Sequence, residues 1–218
     1  MRSACLDQVV VVTESCDILD AATATGVMEV KVWELKSGSV NDYAPLVFAS
    51  DKDIESGMFD TSGASLSWSK KPKVEVFIEP GKKKPKPLAG ISALTSGALV
   101  MNDKAKAALE PFLSRFGQFL EMDCAGESRW FYNVTNIIPC IDEARSAKRP
   151  SGSFVKEEFF EDRLPLDAAV FKDPLTAAAV LYVNEAGKAA LERIFTEADI
   201  VGAAIVELGP TKKPRPRP

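Results

Sequence analysis

The chain contains two closely similar stretches, ALVMNDKAKAALEPFL (Ala98–Leu113) and VLYVNEAGKAALERIF (Val180–Phe195). They align without a gap, and the shared positions are Leu99/Leu181, Asn102/Asn184, Lys106/Lys188 and the run Ala107–Glu110/Ala189–Glu192. An internal repeat indicates one structural unit that is used more than once. This feature therefore constrains the fold more than any other in the sequence.

Each copy predicts a strand, a helix and a second strand. A short apolar run ends at Asn102 or Asn184, and asparagine is a preferred N-cap because its side-chain oxygen accepts from free amides of the first turn. Apolar residues then recur at helical spacing until a glycine precedes a new apolar run. We expect an Asn→Ala change at either cap to cost about 1 kcal/mol of stability.

The two copies differ at two positions that affect helices. Pro111 in the first copy is expected to interrupt its helix, since proline lacks the amide hydrogen of the helix ladder. Gly187 in the second copy should lower helix stability by about 1 kcal/mol relative to alanine. Neither copy contains a nucleophile beside a base or a glycine-rich phosphate loop, so the repeat indicates architecture rather than chemistry.

The N-terminal half predicts strands and turns. Alternating or apolar runs at Val27–Leu35, Pro45–Ser50 and Lys73–Glu79 favour strands, as does a later run over Arg129–Ile138. The segment Glu79–Gly90, rich in proline and lysine, predicts a linker or protruding loop. We therefore predict an α+β fold with a strand-rich part (1–88), a domain (89–209) carrying the related strand–helix–strand units 98–122 and 180–208, and a disordered basic tail (210–218).

The charge distribution favours a basic partner. The chain has a formal net charge of −4, yet its last nine residues, PTKKPRPRP, carry four basic residues and no acidic ones. The remainder is therefore more acidic than the total suggests, and an acidic surface attracts basic partners. The Lys-rich loop and tail leave a nucleic-acid-associated binding module as the alternative, although the acidic body argues against it.

The inventory of side chains argues against an enzyme. The chain has no histidine, which excludes Ser-His-Asp and Cys-His catalysis and histidine metal ligands. The four cysteines form no C-x-x-C pair, and no phosphate-binding or dinucleotide-binding motif is present. We predict no enzymatic activity, cofactor or metal, with a carboxylate-based enzyme as a remaining alternative. No signal peptide or membrane span is apparent, so we expect a cytoplasmic protein without a membrane partner.

The order LVMNDKAKAALEPFL, EMDCAGESRWFYNVTNIIPCIDEARS, AVFKDPLTAAAVLYVNEAGKAALER and IVGAAIVEL resembles a family of bacterial immunity proteins from polymorphic toxin systems. Tyr132–Asn133 and Asp142 stand where that pattern expects them, and the resemblance covers about Leu94–Leu208. The match is weaker over Met58–Trp68. The resemblance implies a protein that binds and neutralises a toxin made by the same or a sibling cell.

A partner-binding surface is predicted where acidic and aromatic residues combine. The segment Val155–Asp167 is strongly acidic, and aromatic anchors with complementary charge are common at protein interfaces. The candidate residues are Glu157, Glu158, Glu161, Asp162, Trp130 and Tyr132. For Trp130 and Tyr132 the alternative is a place in the core, since they share one face of an alternating strand.

Overall fold

The computed structural model describes residues 31–38 and 41–208, and the chain has a mixed α+β fold with more sheet than helix. The basic tail, Cys5, Cys16 and the first residues of the predicted Val27–Leu35 strand lie outside the described residues. The strands are β1 (Val32–Ser37), β2 (Leu46–Phe48), β3 (Lys73–Val76), β4 (Ile91–Ser92), β5 (Leu99–Met101), β6 (Gly117–Cys124), β7 (Glu127–Val134), β8 (Ala147–Lys148), β9 (Phe154–Lys156), β10 (Val170–Phe171), β11 (Tyr182–Asn184) and β12 (Ala203–Glu207).

Two of the three α-helices within residues 31–38 and 41–208 begin directly after the repeated asparagines. Helix α1 (Asp51–Glu55) is a single short turn that the sequence did not predict, whereas α2 (Asp103–Leu113) and α3 (Glu185–Glu197) follow the repeat. The Asn102 side chain accepts from the Ala105 amide, and the Asn184 side chain accepts from the Gly187 amide. The prediction that both residues are N-caps is confirmed.

The strands form two main sheets and one small hairpin. The first sheet has the order β10-β11-β1-β12, and all of its pairs are antiparallel. The second has the order β2-β3-β6-β7-β5-β4, with β3 and β6 parallel and the other pairs antiparallel. Strands β8 and β9 form the hairpin. Strand β1 belongs to the first sheet and strands β2 and β3 belong to the second, so β1 and β3 pair with strands from later in the chain. The division at residue 88 stays a prediction.

Two apolar clusters fill the interior. The larger one lies on the helix side of both sheets and contains Leu109, Leu191 and Tyr132. The smaller one lies on the other face of the second sheet and contains Phe59, Phe131 and neighbouring aliphatic residues. Strand β7 is therefore covered on both faces, which explains why Phe131 and Tyr132 are both fully buried although their side chains point in opposite directions.

The structure corrects two expectations about element boundaries. Helix α2 continues through Pro111 to Leu113, so the proline does not interrupt it. Proline at this position removes one hydrogen bond near the helix end, where the acceptor Ala107 is exposed and water can replace the lost donor. The strand predicted over Arg129–Ile138 ends at Val134, because residues 135–138 turn to bond the backbone of Lys172 and Phe116.

Gly187 is required by close packing, and its cost to helix propensity is secondary. A Cβ atom at this position would lie 2.6 Å from the Ala169 carbonyl oxygen and 2.9 Å from Asn184 Oδ1. We expect Gly187→Ala to destabilise the protein by about 2 kcal/mol, since overpacking outweighs the propensity gain of alanine. Chemical denaturation measures the change, and Ala189→Gly at an exposed position of α3 is the matched control, with an expected loss of about 1 kcal/mol. A more stable Gly187→Ala variant would contradict this.

Candidate partner-binding surface

The Asn184 side chain joins the start of α3 to the loop that precedes β10. Its oxygen accepts from the amides of Gly187 and Ala169 at 2.9 and 3.1 Å. Its Nδ2 atom donates to the carbonyl oxygens of Pro165 and Asp167, both at 2.7 Å. The amide thereby uses two acceptor and two donor positions while almost fully buried, and it fixes residues 165–167 beside the first turn of α3.

The Asp173 carboxylate and a backbone hydrogen bond of Asp142 hold the segments near this loop. Asp173 is buried, and its oxygens accept from the backbone amides of Cys140, Ile141 and Leu175 at 2.7–2.8 Å. The backbone of Asp142 pairs with that of Glu158, because the Asp142 amide donates to the Glu158 carbonyl at 2.8 Å. The acidic segment is therefore attached to the rest of the protein by a backbone hydrogen bond at Glu158 and by the Asn184 side chain at Pro165 and Asp167.

Four exposed carboxylates and one exposed leucine lie along this anchored segment. Glu161 and Asp162 belong to a 3₁₀ turn, and Asp167 follows the loop that Asn184 holds. Glu185 is the first residue of α3, directly after Asn184. Leu166 lies between the two backbone carbonyls that bond Asn184, and it is 93% exposed. We call Glu161, Asp162, Leu166, Asp167 and Glu185 the acidic surface.

The charges of the acidic surface are not neutralised by neighbours. None of its four carboxylates has a lysine or arginine ion-pair partner within the part of the chain that the structure describes. Other acidic residues, such as Glu110 and Glu192, do have such partners on their own helices. Asp167 and Glu185 also lie at the N-terminus of α3, where the helix dipole favours negative charge.

Glu157 and Glu158 are less available for contact with a partner than the sequence suggested. Glu157 is half-buried, and burial raises the pKa of its carboxyl, with the nearby Glu34 carboxylate adding to the effect. Glu158 is also half-buried, and the Lys156 ammonium pairs with its carboxylate. Of the four acidic candidates in this segment, Glu161 and Asp162 are therefore the exposed and unpaired ones.

The two aromatic candidates lie elsewhere. Tyr132 is fully buried, and its hydroxyl donates to the Leu113 carbonyl at 2.9 Å, so it cannot form part of a partner surface. Trp130 is half-buried against α2: its Nε1 donates to Asp103 at 2.6 Å, and the Lys106 ammonium lies 4.6 Å from its ring centre. The interpretation of Tyr132 as a contact residue is wrong, because the larger apolar cluster covers that face of β7.

Sequence reasoning missed Leu166, Asp167 and Glu185 as members of the surface. Leu166 and Asp167 lie in the acidic segment, but an isolated leucine there does not reveal whether it is buried. Glu185 reads as an ordinary acidic residue of a helix start. The Asn184 hydrogen bonds bring the loop and the helix start together. They join residues 17 and 19 positions apart in the sequence, so no local pattern reveals them.

The described residues contain no group of three or more cysteine, aspartate or glutamate side chains arranged to hold a metal ion. Within the same residues, every helix is too short and too polar to cross a bilayer. No protein-family model matches the chain, and no curated protein matches it.

Proposed function

We propose that the chain is an immunity protein that binds and neutralises a cognate bacterial toxin through protein–protein contact. The observation that carries the proposal is the acidic surface, in which unpaired carboxylates and an almost fully exposed leucine lie on one anchored segment and the adjoining helix start. An inhibitor needs a rigid scaffold and a complementary surface, and its fixed backbone keeps the ordering cost of binding low. The resemblance over Leu94–Leu208 supports the same function.

The charge of the surface indicates the chemistry of the partner. Unpaired carboxylates produce a negative field that accelerates encounter with a positively charged protein and aligns the two surfaces. A toxin that acts on nucleic acid has a basic face for its own substrate, so an acidic inhibitor would complement it. We expect Leu166 to enter an apolar depression on such a toxin, since buried apolar anchors surrounded by polar groups carry much of the affinity at interfaces.

We further propose that the two strand–helix–strand segments are copies of one unit. The sheet order supports this: β7 lies between β5 and β6, and β1 lies between β11 and β12. The register supports it as well, because Met101 and Val183 are equivalent positions in the repeat. Each is paired across the sheet with a tryptophan, Trp130 and Trp33 respectively.

The repeated lysines fit the same interpretation. Lys106 lies 4.6 Å from the ring centre of Trp130, and Lys188 lies 5.2 Å from that of Trp33. Each lysine also pairs with the glutamate one turn later in its helix. A cation above an aromatic face is attracted to it, so the shared lysine of the repeat contributes a helix-to-sheet contact in both units.

A nucleic-acid-binding module is the second candidate. The loop after β3 exposes Lys82, Lys83 and Lys84 close in sequence to the exposed side chains of Phe77 and Ile78. Cationic side chains beside an aromatic residue suit a phosphate backbone with stacking bases. Salt-dependent binding to bare RNA or DNA that Lys82→Glu/Lys84→Glu abolishes would favour this candidate over toxin neutralisation.

Charge reversal on the acidic surface tests the proposed function. We expect this protein to restore the growth of cells that produce its cognate toxin when the two are co-expressed. Glu161→Lys/Asp162→Lys should slow association with the purified toxin about tenfold at low salt. The difference should shrink as salt is added, because exposed charges are screened. Stopped-flow association rates measure it.

The control is Glu55→Lys/Glu197→Lys, which reverses two exposed and unpaired carboxylates outside the acidic surface. Its association rate should fall by less than that of the first variant, although its net charge is the same. Equal effects of the two variants would show that only overall charge matters and would place the interface elsewhere. A protein that neither binds the toxin nor restores growth would contradict the proposed function itself.

A further inference from the structure

A cavity lies beside β1 at the place where β11 stops. It has a volume of about 360 Å³, and its walls comprise residues 34–37 of β1, residues 93–98 of the turn between β4 and β5, and Ala179 and Leu181 ahead of β11. No residue of the acidic surface lines it. Ligand pockets have volumes of about 300–1,000 Å³. The cavity is therefore large enough for a short ligand, and it is separate from the acidic surface.

The hydrogen-bond pattern shows which backbone groups of β1 face this cavity. The Gly38 amide donates to the Gly202 carbonyl at 2.7 Å, on the β12 side of the strand. The Leu35 amide donates to the Leu181 carbonyl at 2.8 Å, on the β11 side. Successive residues of an antiparallel strand direct their backbone groups to opposite neighbours. The amide and the carbonyl of Ser37 therefore point to the β11 side, where the cavity lies.

The chain ahead of β11 does not pair with Ser37. The register joins Trp33 to Val183, so the residue opposite Ser37 would be Ala179. The chain turns away at that point, because the Ala179 amide donates to the Thr176 carbonyl at 2.8 Å. Within the described residues, the half-buried Ser37 consequently has a backbone amide and a backbone carbonyl without hydrogen-bond partners. An unpaired strand edge is a template for another extended chain.

The opposite wall of the cavity is held in place and has unpaired polar groups of its own. Gly97 has a φ of +70°, and a Cβ atom there would lie 2.9 Å from the Ala178 carbonyl oxygen, so the turn packs closely against the segment ahead of β11. Among the described residues, the amides of Thr95, Ser96 and Gly97 have no acceptor, and the hydroxyls of Thr95 and Ser96 form no hydrogen bond. A ligand can therefore enter without a large rearrangement of the walls.

We propose that the cavity binds an extended peptide segment of a partner protein, which continues the line of β11 beside β1. The central residue of the segment donates its amide to the Ser37 carbonyl and accepts from the Ser37 amide, as in strand addition. Its side chain lies on the sheet face of the buried Leu35, so an apolar side chain fits there. The flanking side chains share the face of Glu34 and Lys36, which suits polar residues. The inference does not rest on toxin neutralisation, because the two sites share no residue.

An NMR titration with a tripeptide of sequence Thr-Val-Thr, blocked at both ends, tests the proposal. We expect the backbone amide signals of Ser37 and Gly97 in the wild-type protein to shift and to saturate at millimolar peptide. The matched control peptide carries an N-methyl group on the central valine, which removes the donor for the Ser37 carbonyl. It should bind about tenfold more weakly, since an unsatisfied polar group costs about 1–3 kcal/mol.

Ser37→Pro tests the same contact from the protein side. Proline lacks the amide hydrogen, but the Ser37 amide is not part of the ladder to β12, so the sheet should persist and the affinity should fall about tenfold. Glu207→Pro is the control, because it removes an amide that points away from β1 at the outer edge of the same sheet, and it should keep the affinity. Circular dichroism checks that both variants fold.

Three results would overturn the proposal. They are an absence of saturating shifts at Ser37 in the wild-type protein, equal affinity of that protein for the two peptides, and full affinity in folded Ser37→Pro. The first two need only the wild-type protein, so the proposal can be overturned even if Ser37→Pro does not fold.

Discussion

Asn184→Ala should destabilise the protein by about 4 kcal/mol, several times the loss expected at the equivalent cap Asn102. Both side chains cap a helix, but that of Asn184 also bonds the Ala169 amide and the carbonyl oxygens of Pro165 and Asp167. Removing it leaves buried donors and acceptors without partners, and each such group costs about 1–3 kcal/mol. Chemical denaturation of the two alanine variants measures the difference.

Asn102→Ala is the matched control, because within the described residues the Asn102 side chain makes a single hydrogen bond, accepting from the Ala105 amide at 2.8 Å. This substitution should cost about 1 kcal/mol. Equal losses in the two variants would show that the additional Asn184 bonds contribute nothing. If the proposed toxin binding takes place at the acidic surface, the Asn184 variant should also weaken it, since residues 165–167 lose their attachment. If a destabilised Asn184→Ala variant kept its affinity for the toxin, the Asn184 bonds would not be needed for binding.

The repeated helices could be predicted because the signals that define them are local. Asn102 and Asn184 mark helix starts by their own side chains, and the apolar spacing that follows identifies the buried face of each helix. The positions of β1 and of the loop before β10 could not be predicted. Trp33 pairs with Val183, which lies far from it in the sequence, and no local pattern encodes that register.

Burial on β7 shows a second limit of sequence reasoning. Alternation predicts that Phe131 and Tyr132 face opposite sides, but it cannot reveal that the smaller apolar cluster covers the second side. The acidic segment was identified correctly as exposed at Glu161 and Asp162, since charged residues rarely lie in a core. The partial burial of Glu157 and Glu158 depends on how the folded chain packs around them, and composition does not encode that packing.

Lys172 should make stability rise with pH above about 8, which is unusual for a lysine. Its side chain is fully buried, and its ammonium donates to the Thr61 carbonyl oxygen. Burial lowers the pKa of this ammonium to about 8, although the Asp60 carboxylate opposes the shift. Between this value and the ordinary lysine value of 10.5, the unfolded chain holds a proton that the folded protein has released. Stability therefore increases with pH across that interval.

The gain specific to Lys172 should be about 3 kcal/mol between pH 7.5 and about 10.5, since one pKa unit corresponds to about 1.4 kcal/mol. The free energy of unfolding is measured across that range for wild-type protein and for Lys172→Met. The difference between the two isolates the contribution of Lys172, because the other titrating groups are common to both proteins. The wild-type protein should gain stability relative to the variant as pH rises. Lys83→Met, which removes an exposed lysine, is the control and should show no such divergence from wild type. A constant difference between wild-type protein and Lys172→Met would mean that the buried ammonium keeps its proton, so that Thr61 and Asp60 stabilise its charge enough to offset the loss of water.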